Sequence, residues 1–248
     1  MNWQHIKAVI LDLDGVITRT AAVHARAWKQ MFDAYRERRE QRGDTSYEPF
    51  EVDQDYRRYV DGKPRYEGVR SFLQSRGLDL PHGSPEDEPG QETICGLGNW
   101  KNMFYQKLLE DMGVEVFDDA VRMLRRWRKR GLKRAVVSSS KNCRKVLELA
   151  GLESLFDVRV DGVTAERLHL KGKPDPDIFL QAARALGVEP SQAVVFEDAV
   201  AGVQAGRAGG FARVVGVARH GDGQALLDNG ADVVVQRLDE LEPDGGGA

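Results

Sequence analysis

Six short apolar runs rich in Val and Ile recur along this 248-residue chain, and they limit its fold more than any other feature. They lie at residues 8–13, 135–137, 158–160, 193–196, 214–217 and 233–235. A run that is apolar at consecutive positions leaves no face for water, so each suits a strand buried on both sides. Helical patterns separate them. Val121, Leu124 and Trp127 mark one helix that stops at Gly131. Val146, Leu147 and Leu149 mark a second, stopping at Gly151, and Ile178, Phe179, Ala182, Ala183 and Leu186 mark a third, stopping at Gly187. Glycine is the common residue just past a helix end. Pro176 stands near the start of the third helix, where its missing N–H costs little. Strand–helix alternation of this kind predicts an α/β fold, a doubly wound, Rossmann-like parallel sheet.

The alternation breaks between the first two strands. From about residue 20 to 112 there are helical stripes (Val23, Ala27, Met31, Tyr35; then Phe104, Leu108, Met112) but no strand signal. A segment this long exceeds any single crossover. It is expected to be an inserted helical cap domain at 20–112, with the core formed by 1–19 and 113–248. Residues 81–92, rich in Pro, Gly and acids, read as a mobile loop within it.

Bulk properties exclude several roles. The formal net charge is −3, which gives no footprint for nucleic acid or a membrane surface. The basic run from Arg122 to Arg130 alternates with apolar residues at helical spacing and reads as a solvated helix face. The two cysteines, Cys95 and Cys143, fit neither a disulfide framework nor a zinc site. Lys7, Asp12 and Asp14 interrupt the first apolar stretch, so no signal peptide is expected. No run of about 18 apolar residues predicts a membrane span. A cytoplasmic protein is the expectation.

Four polar groups follow the apolar runs. Asp12 and Asp14, in Leu11-Asp12-Leu13-Asp14-Gly15, leave the first strand at the sheet edge where open α/β sheets bind ligands. Two close carboxylates repel unless a cation or shared proton relieves them, and a hard ion such as Mg²⁺ suits oxygen ligands. One acid can then act as nucleophile and the other as general acid/base. The plainer alternative is a polar turn. Ser138, Ser139 and Ser140, with Asn142 close behind, end the second strand, as a phosphate cradle or as a helix N-cap cluster. Lys173 precedes the third helix, as a site cation or a surface lysine. Glu197 and Asp198 end the fourth strand, as metal ligands or a capping pair. A parallel sheet brings all four groups to one rim, and their joint occurrence favours a site over four separate caps.

In that order these residues resemble the motifs of the haloacid dehalogenase superfamily, over about residues 6–238, with the insert where that family carries its helical cap. Within it, Gly15-Val16-Ile17-Thr18-Arg19-Thr20, His24-Ala25-Arg26-Ala27-Trp28-Lys29, Ser138-Ser139-Ser140-Lys141-Asn142, Lys173-Pro174-Asp175-Pro176-Asp177-Ile178-Phe179 and Phe196-Glu197-Asp198-Ala199-Val200-Ala201-Gly202 are similar to the β-phosphoglucomutase-like subfamily. The resemblance implies the following roles. Asp12 is the nucleophile that carries phosphorus, Asp14 the proton donor and acceptor, and Ser138 and Lys173 bind the transferring group. Mg²⁺ is held by Asp12, the Asp14 backbone carbonyl and Asp198, with Glu197 assisting. Thr20, His24, Trp28, Gly62, Lys63, Arg65, Lys101, Ser139, Ser140 and Asn142 contact the substrate. Arg65 is the residue expected to clamp a second phosphate, with Lys101 and Asn102 as a further contact.

The implied reaction interconverts β-glucose 1-phosphate and glucose 6-phosphate through a 1,6-bisphosphate. A phosphatase with the same chemistry is the alternative, and a non-catalytic sugar-phosphate binder a third. The implied partner is a small-molecule sugar phosphate, with no nucleic acid or membrane, and the chain is expected to be a monomer. Three departures stand out. Arg19 replaces an acid common in relatives, Ala199 replaces a Ser or Thr, and the loop around 81–95 is long.

Overall fold

The computed structural model describes residues 3–44, 47–219 and 223–241. The strands are β1 (Ala8–Asp12), β2 (Lys133–Val137), β3 (Val158–Val160), β4 (Ala193–Glu197), β5 (Arg213–Val217) and β6 (Val233–Val235). The helices are α1 (Thr20–Glu40), α2 (Arg65–Ser75), α3 (Ile94–Met112), α4 (Asp118–Lys129), α5 (Cys143–Ala150), α6 (Gly162–Arg167), α7 (Asp177–Leu186), α8 (Val200–Ala208) and α9 (Gly223–Asp228). The chain divides after Arg19 and after Gly113 into two compact units, one built on the sheet and the other, Thr20–Gly113, helical. Among the described residues no helix is long and apolar enough to cross a membrane.

In the first unit all six strands pair in parallel, in the order β3-β2-β1-β4-β5-β6. β1 is central, so its residues have no exposed face, and Ala8 through Leu11 are fully buried. Ile10 lies beside Ala135 on one side and Val195 on the other. These three pack with Phe179, Ala182 and Leu186 of α7 in one core layer. Phe196, next to Val195, points to the opposite face, where the Trp127 ring of α4 lies 5.1 Å away. Burying each such aliphatic or aromatic side chain contributes ~1.5–3 kcal/mol. α4 buries Met123, Leu124 and Trp127 while Arg122, Arg125 and Arg128 face water, so its basic run is a solvated face. Helices α5 and α7 close on Gly151 and Gly187 in the left-handed conformation, which any larger residue would strain. β2 starts two residues before its apolar run. Arg134 is buried there because its guanidinium donates to the carbonyls of Leu132 and Leu155 and pairs with Asp157 at 2.8 Å.

The helical unit contains no strand among its described residues. Its core is aromatic: Phe32 packs 5.1 Å from Phe50 and 4.1 Å from Phe72, with Trp28, Met31 and Leu97 around them. Residues Val52–Val60 form a π-helix that the sequence does not announce. Asp55 holds its start by accepting from the Glu51 N–H at 2.8 Å while paired with Arg76 at 2.7 Å.

The stripe Phe104, Leu108, Met112 falls in a helix, α3, as expected, but these are not its most buried residues. Lys101, Tyr105 and Leu109 are buried, and Met112 is 48% exposed. The face is turned by one residue because Lys101 finds partners inside. The segment 81–92 is pinned rather than loose. Gly90 N–H bonds to the Gly96 carbonyl, Ile94 N–H to the Pro81 carbonyl, and Thr93 Oγ1 donates to Asp87 at 2.6 Å, while Arg38 reaches the Gly90 carbonyl.

Candidate active site

The reversal of strand order falls at β1, with β2 on one side and β4 on the other, and in open α/β sheets the carboxyl ends of the strands at such a reversal are where ligands bind. Register fixes which residues stand there. Asp12 is level with Val137, whose successor is Ser138, and Leu11 is level with Phe196, whose successor is Glu197. Asp12, Ser138 and Glu197 therefore leave the sheet side by side.

A tight turn follows Asp12. Ile17 and Thr18 N–H groups return to the Leu13 carbonyl, and Gly15 N–H bonds to the Thr18 carbonyl at 2.8 Å. This turn brings the Asp14 carboxylate back to Ser138, whose hydroxyl donates to Asp14 Oδ2 at 3.2 Å. Gly15 is required twice over. Its φ is +85°, and a Cβ there would stand 1.8 Å from an Asp198 carboxylate oxygen.

After β2 the hydroxyls accept from the chain ahead. Ser138 Oγ takes the Ser140 N–H and Ser140 Oγ takes the Asn142 N–H, both at 3.1 Å. The serines thus shape the strand-to-helix turn, while Asn142 stands at the α5 N-cap without a side-chain capping bond. Ser139 lies in the same turn.

Lys173 is no surface lysine. It is 2% exposed, and its Nζ donates to Asp12 Oδ1 at 2.5 Å and to Glu197 Oε1. Glu197, fully buried, uses Oε2 to accept the N–H groups of Asp198 (2.6 Å) and Ala199 (2.9 Å). The residue at 199 thus serves through its backbone, which is why alanine suffices. Oxygens of Asp12, Glu197 and Asp198 come within 4.8 Å of one another. The Asp14 carboxylate is outside this group and belongs to Ser138.

Charge is unbalanced here. Burial pushes the Asp12 carboxyl well above its ordinary value, Lys173 pulls it back, and Glu197 and Asp14 push it up again. Burial disfavours the Lys173 ammonium, but the Asp12 and Glu197 carboxylates outweigh burial and hold the proton on. The surplus is negative, and the donors are all hard oxygens, with no nitrogen or sulfur among them. The three residues fit a divalent cation on these grounds.

The remaining predicted site residues belong to the helical unit. His24 Nδ1 lies 2.6 Å from the Lys101 ammonium. The His24 ring stacks 4.0 Å from Tyr105, and Lys101 sits 4.7 Å above Tyr105 and 5.0 Å above Trp28. Tyr105, one turn from Lys101, is absent from the sequence reading. The spacing of four was the available signal. Trp28 is core, stacked on Phe32. Thr20 is buried at the start of α1. Gly62 takes a left-handed turn (φ +69°) before Lys63, whose Nζ donates to Ser71 at 2.9 Å. Burial lowers the Lys63 ammonium pKa. Arg65 opens α2 with its guanidinium over the Tyr66 ring. Arg19 lies over Phe117, 4.4 Å from its centroid, beside Glu115.

A buried acid at a central strand end, a buried lysine, a serine turn and an acid pair that fits a divalent cation are the groups that phosphoryl transfer calls for. The family model for haloacid dehalogenase-like hydrolases matches residues 6–210, and the chain belongs to that family.

Among relatives, a β-phosphoglucomutase of Mycobacterium bovis is 52% identical over 241 residues, covering 96% of this chain and 92% of its own length. A β-phosphoglucomutase of Bacillus subtilis is 35% identical, covering 95% of this chain and 92% of its own. The crystal structure of a β-phosphoglucomutase from Clostridium difficile superimposes with a TM-score of 0.74 at 26% identity, covering 96% of this chain and 93% of that one.

Proposed function

We propose that the chain is a Mg²⁺-dependent mutase that interconverts β-D-glucose 1-phosphate and glucose 6-phosphate. The observation that carries this is Asp12, buried between Lys173 and the Glu197–Asp198 pair, in a chain 52% identical to a β-phosphoglucomutase. The enzyme is primed by glucose 1,6-bisphosphate: an Asp12 carboxylate oxygen attacks one phosphorus, the P–O bond to the sugar breaks, Asp14 gives its proton to the departing oxygen, and a glucose monophosphate leaves. Asp14 later takes a proton from the sugar hydroxyl that attacks the aspartyl-phosphate, and glucose 1,6-bisphosphate forms. The bisphosphate turns round, Asp12 takes the other phosphoryl group, and the isomer leaves. The hydrogen bond from Ser138 holds the Asp14 carboxylate still for both transfers. Lys173 stays protonated and offsets charge on the transferring oxygens. Mg²⁺, held by Asp12, the Asp14 carbonyl and Asp198 with Glu197 behind them, would neutralise phosphoryl oxygens when bound.

A mutase must also grip the phosphate that is not under attack. Arg65 supplies a planar fork suited to it, with Lys63 nearby in sequence and His24 and Lys101 as a second polar pair. The partner is a small sugar phosphate, and the protein is a cytoplasmic monomer.

Incubation with β-glucose 1-phosphate, Mg²⁺ and a trace of glucose 1,6-bisphosphate tests the proposal. Glucose 6-phosphate should account for the substrate consumed. Free phosphate as the main product would instead identify a phosphatase. Arg65→Ala should move the balance from isomer toward free phosphate.

A further inference from the structure

Tyr66 and Asn99 were outside every motif in the sequence, yet they connect Arg65 to the pinned segment at 81–92. The Arg65 guanidinium carbon lies 5.0 Å from the Tyr66 ring centroid, and its Nη2 is 3.5 Å from the phenol oxygen. The phenol donates in turn to Asn99 Oδ1 at 3.0 Å. Asn99 cannot turn over, because its amide nitrogen donates to the Asp87 carbonyl at 2.8 Å and the Pro85 carbonyl at 3.0 Å. Asp87 is itself held, accepting from Thr93 Oγ1 and from the Ser84 N–H at 3.1 Å. α3 makes room for this arrangement at Gly98. A Cβ there would fall 2.6 Å from the Tyr66 ring and 3.2 Å from the Arg65 Cγ. The ring and the arginine stem thus lie flat against the α3 backbone.

We propose that Tyr66 and Asn99 are positioning residues that fix the Arg65 guanidinium for a sugar phosphate's second phosphate, given the role assigned to Arg65 above. An arginine free to rotate loses rotamer entropy each time it binds, and one already stacked and hydrogen-bonded loses less. The Pro-rich segment then has a use. Its Pro85 and Asp87 carbonyls set the orientation of the Asn99 amide, which makes Asn99 Oδ1 the acceptor that Tyr66 meets.

The test is the KM for glucose 1,6-bisphosphate, with kcat and melting temperature, in Tyr66→Phe, Asn99→Leu, Arg65→Ala and the double variant Tyr66→Phe/Arg65→Ala. Tyr66→Phe keeps the ring and its packing, so it carries the test even if Asn99→Leu fails to fold. Tyr66→Phe should raise KM about two- to tenfold, the worth of one hydrogen bond, with a melting temperature lowered by no more than a few degrees through the lost bond to Asn99. It should add nothing further in the Arg65→Ala background, because it acts through that residue. Gly98→Ala should raise KM in the same direction by displacing the ring. An unchanged KM in Tyr66→Phe while Arg65→Ala raises it, or additive losses in the double variant, overturns the positioning role and leaves Arg65 as the clamp. An unchanged KM in Arg65→Ala overturns the clamp itself, and the positioning role with it.

Discussion

Replacing Lys173 by Met removes a buried charge and keeps most of the side chain's volume. The parent ammonium is 2% exposed and serves Asp12 and Glu197, which are themselves 6% and 0% exposed. Removing one partner of a buried ion pair costs ~3–5 kcal/mol, because the charge left behind has neither water nor a counter-ion. At ~2–4 °C per kcal/mol for a chain of this size, the melting temperature should fall by ~6–20 °C.

The sign of the pH dependence follows from which state binds protons. In the variant, Asp12 loses the ammonium that pulls its carboxyl back down, so its folded-state pKa stands further above the unfolded one. Between roughly pH 4 and that raised value the folded state holds more protons than the unfolded chain. Acidification from neutral pH therefore narrows the gap between variant and parent. Urea unfolding followed by circular dichroism at several pH values measures this directly. A loss under about 1 kcal/mol at neutral pH, or a gap that widens in acid, would refute the assignment of Lys173 as the counter-ion of two buried carboxylates.

Gly15→Ala should be more damaging than an exposed Gly→Ala change. It strains a φ of +85° and drives a methyl group into Asp198, so divalent-cation affinity measured by calorimetry should drop along with stability. Gly202→Ala should likewise displace Glu197, since a Cβ there would lie 1.7 Å from Oε1, and thermal unfolding should show the loss. Asp239, whose carboxyl is lowered most by the hydrogen bond from Arg237, raised in part by burial and lowered again by Arg122, should titrate at about 2 by NMR. Its folded pKa is depressed, so its stabilisation is complete above about pH 4 and fades as pH falls toward the folded value. At this partly exposed site it amounts to less than ~1 kcal/mol. Arg237→Ala should return the titration toward the ordinary carboxylate range.

Much of the sheet was legible because its strands are buried on both faces. A run such as residues 8–12 has few other ways to sit in a protein, and all six runs became strands. The strand-end acids were legible for a related reason, since polar groups directly after a buried strand arrive together at one edge of a parallel sheet. What escaped was burial of charged side chains. Arg134, Lys101 and Lys173 are inside because specific carbonyls, carboxylates and rings meet them, and no local pattern encodes a partner 23, 77 or 161 residues away. The same cause turned the α3 face, because an apolar count favours Met112 over Lys101. Segment 81–92 carries the composition of a loose loop, but its Asp87 carboxylate ties it down, accepting from the Ser84 N–H and from the Thr93 hydroxyl. The π-helix has no residue preference strong enough to read.

Asp12 as the phosphorus carrier is the claim that everything else serves. Short incubation with glucose 1,6-bisphosphate and Mg²⁺, rapid quench, and mass spectrometry of the digested protein locates the phosphoryl group. One acid-stable, hydroxylamine-labile phosphoryl group on the peptide containing Asp12, absent in Asp12→Asn, is the predicted result. Phosphate found on Ser138 instead, or full mutase turnover by Asp12→Asn, would contradict it.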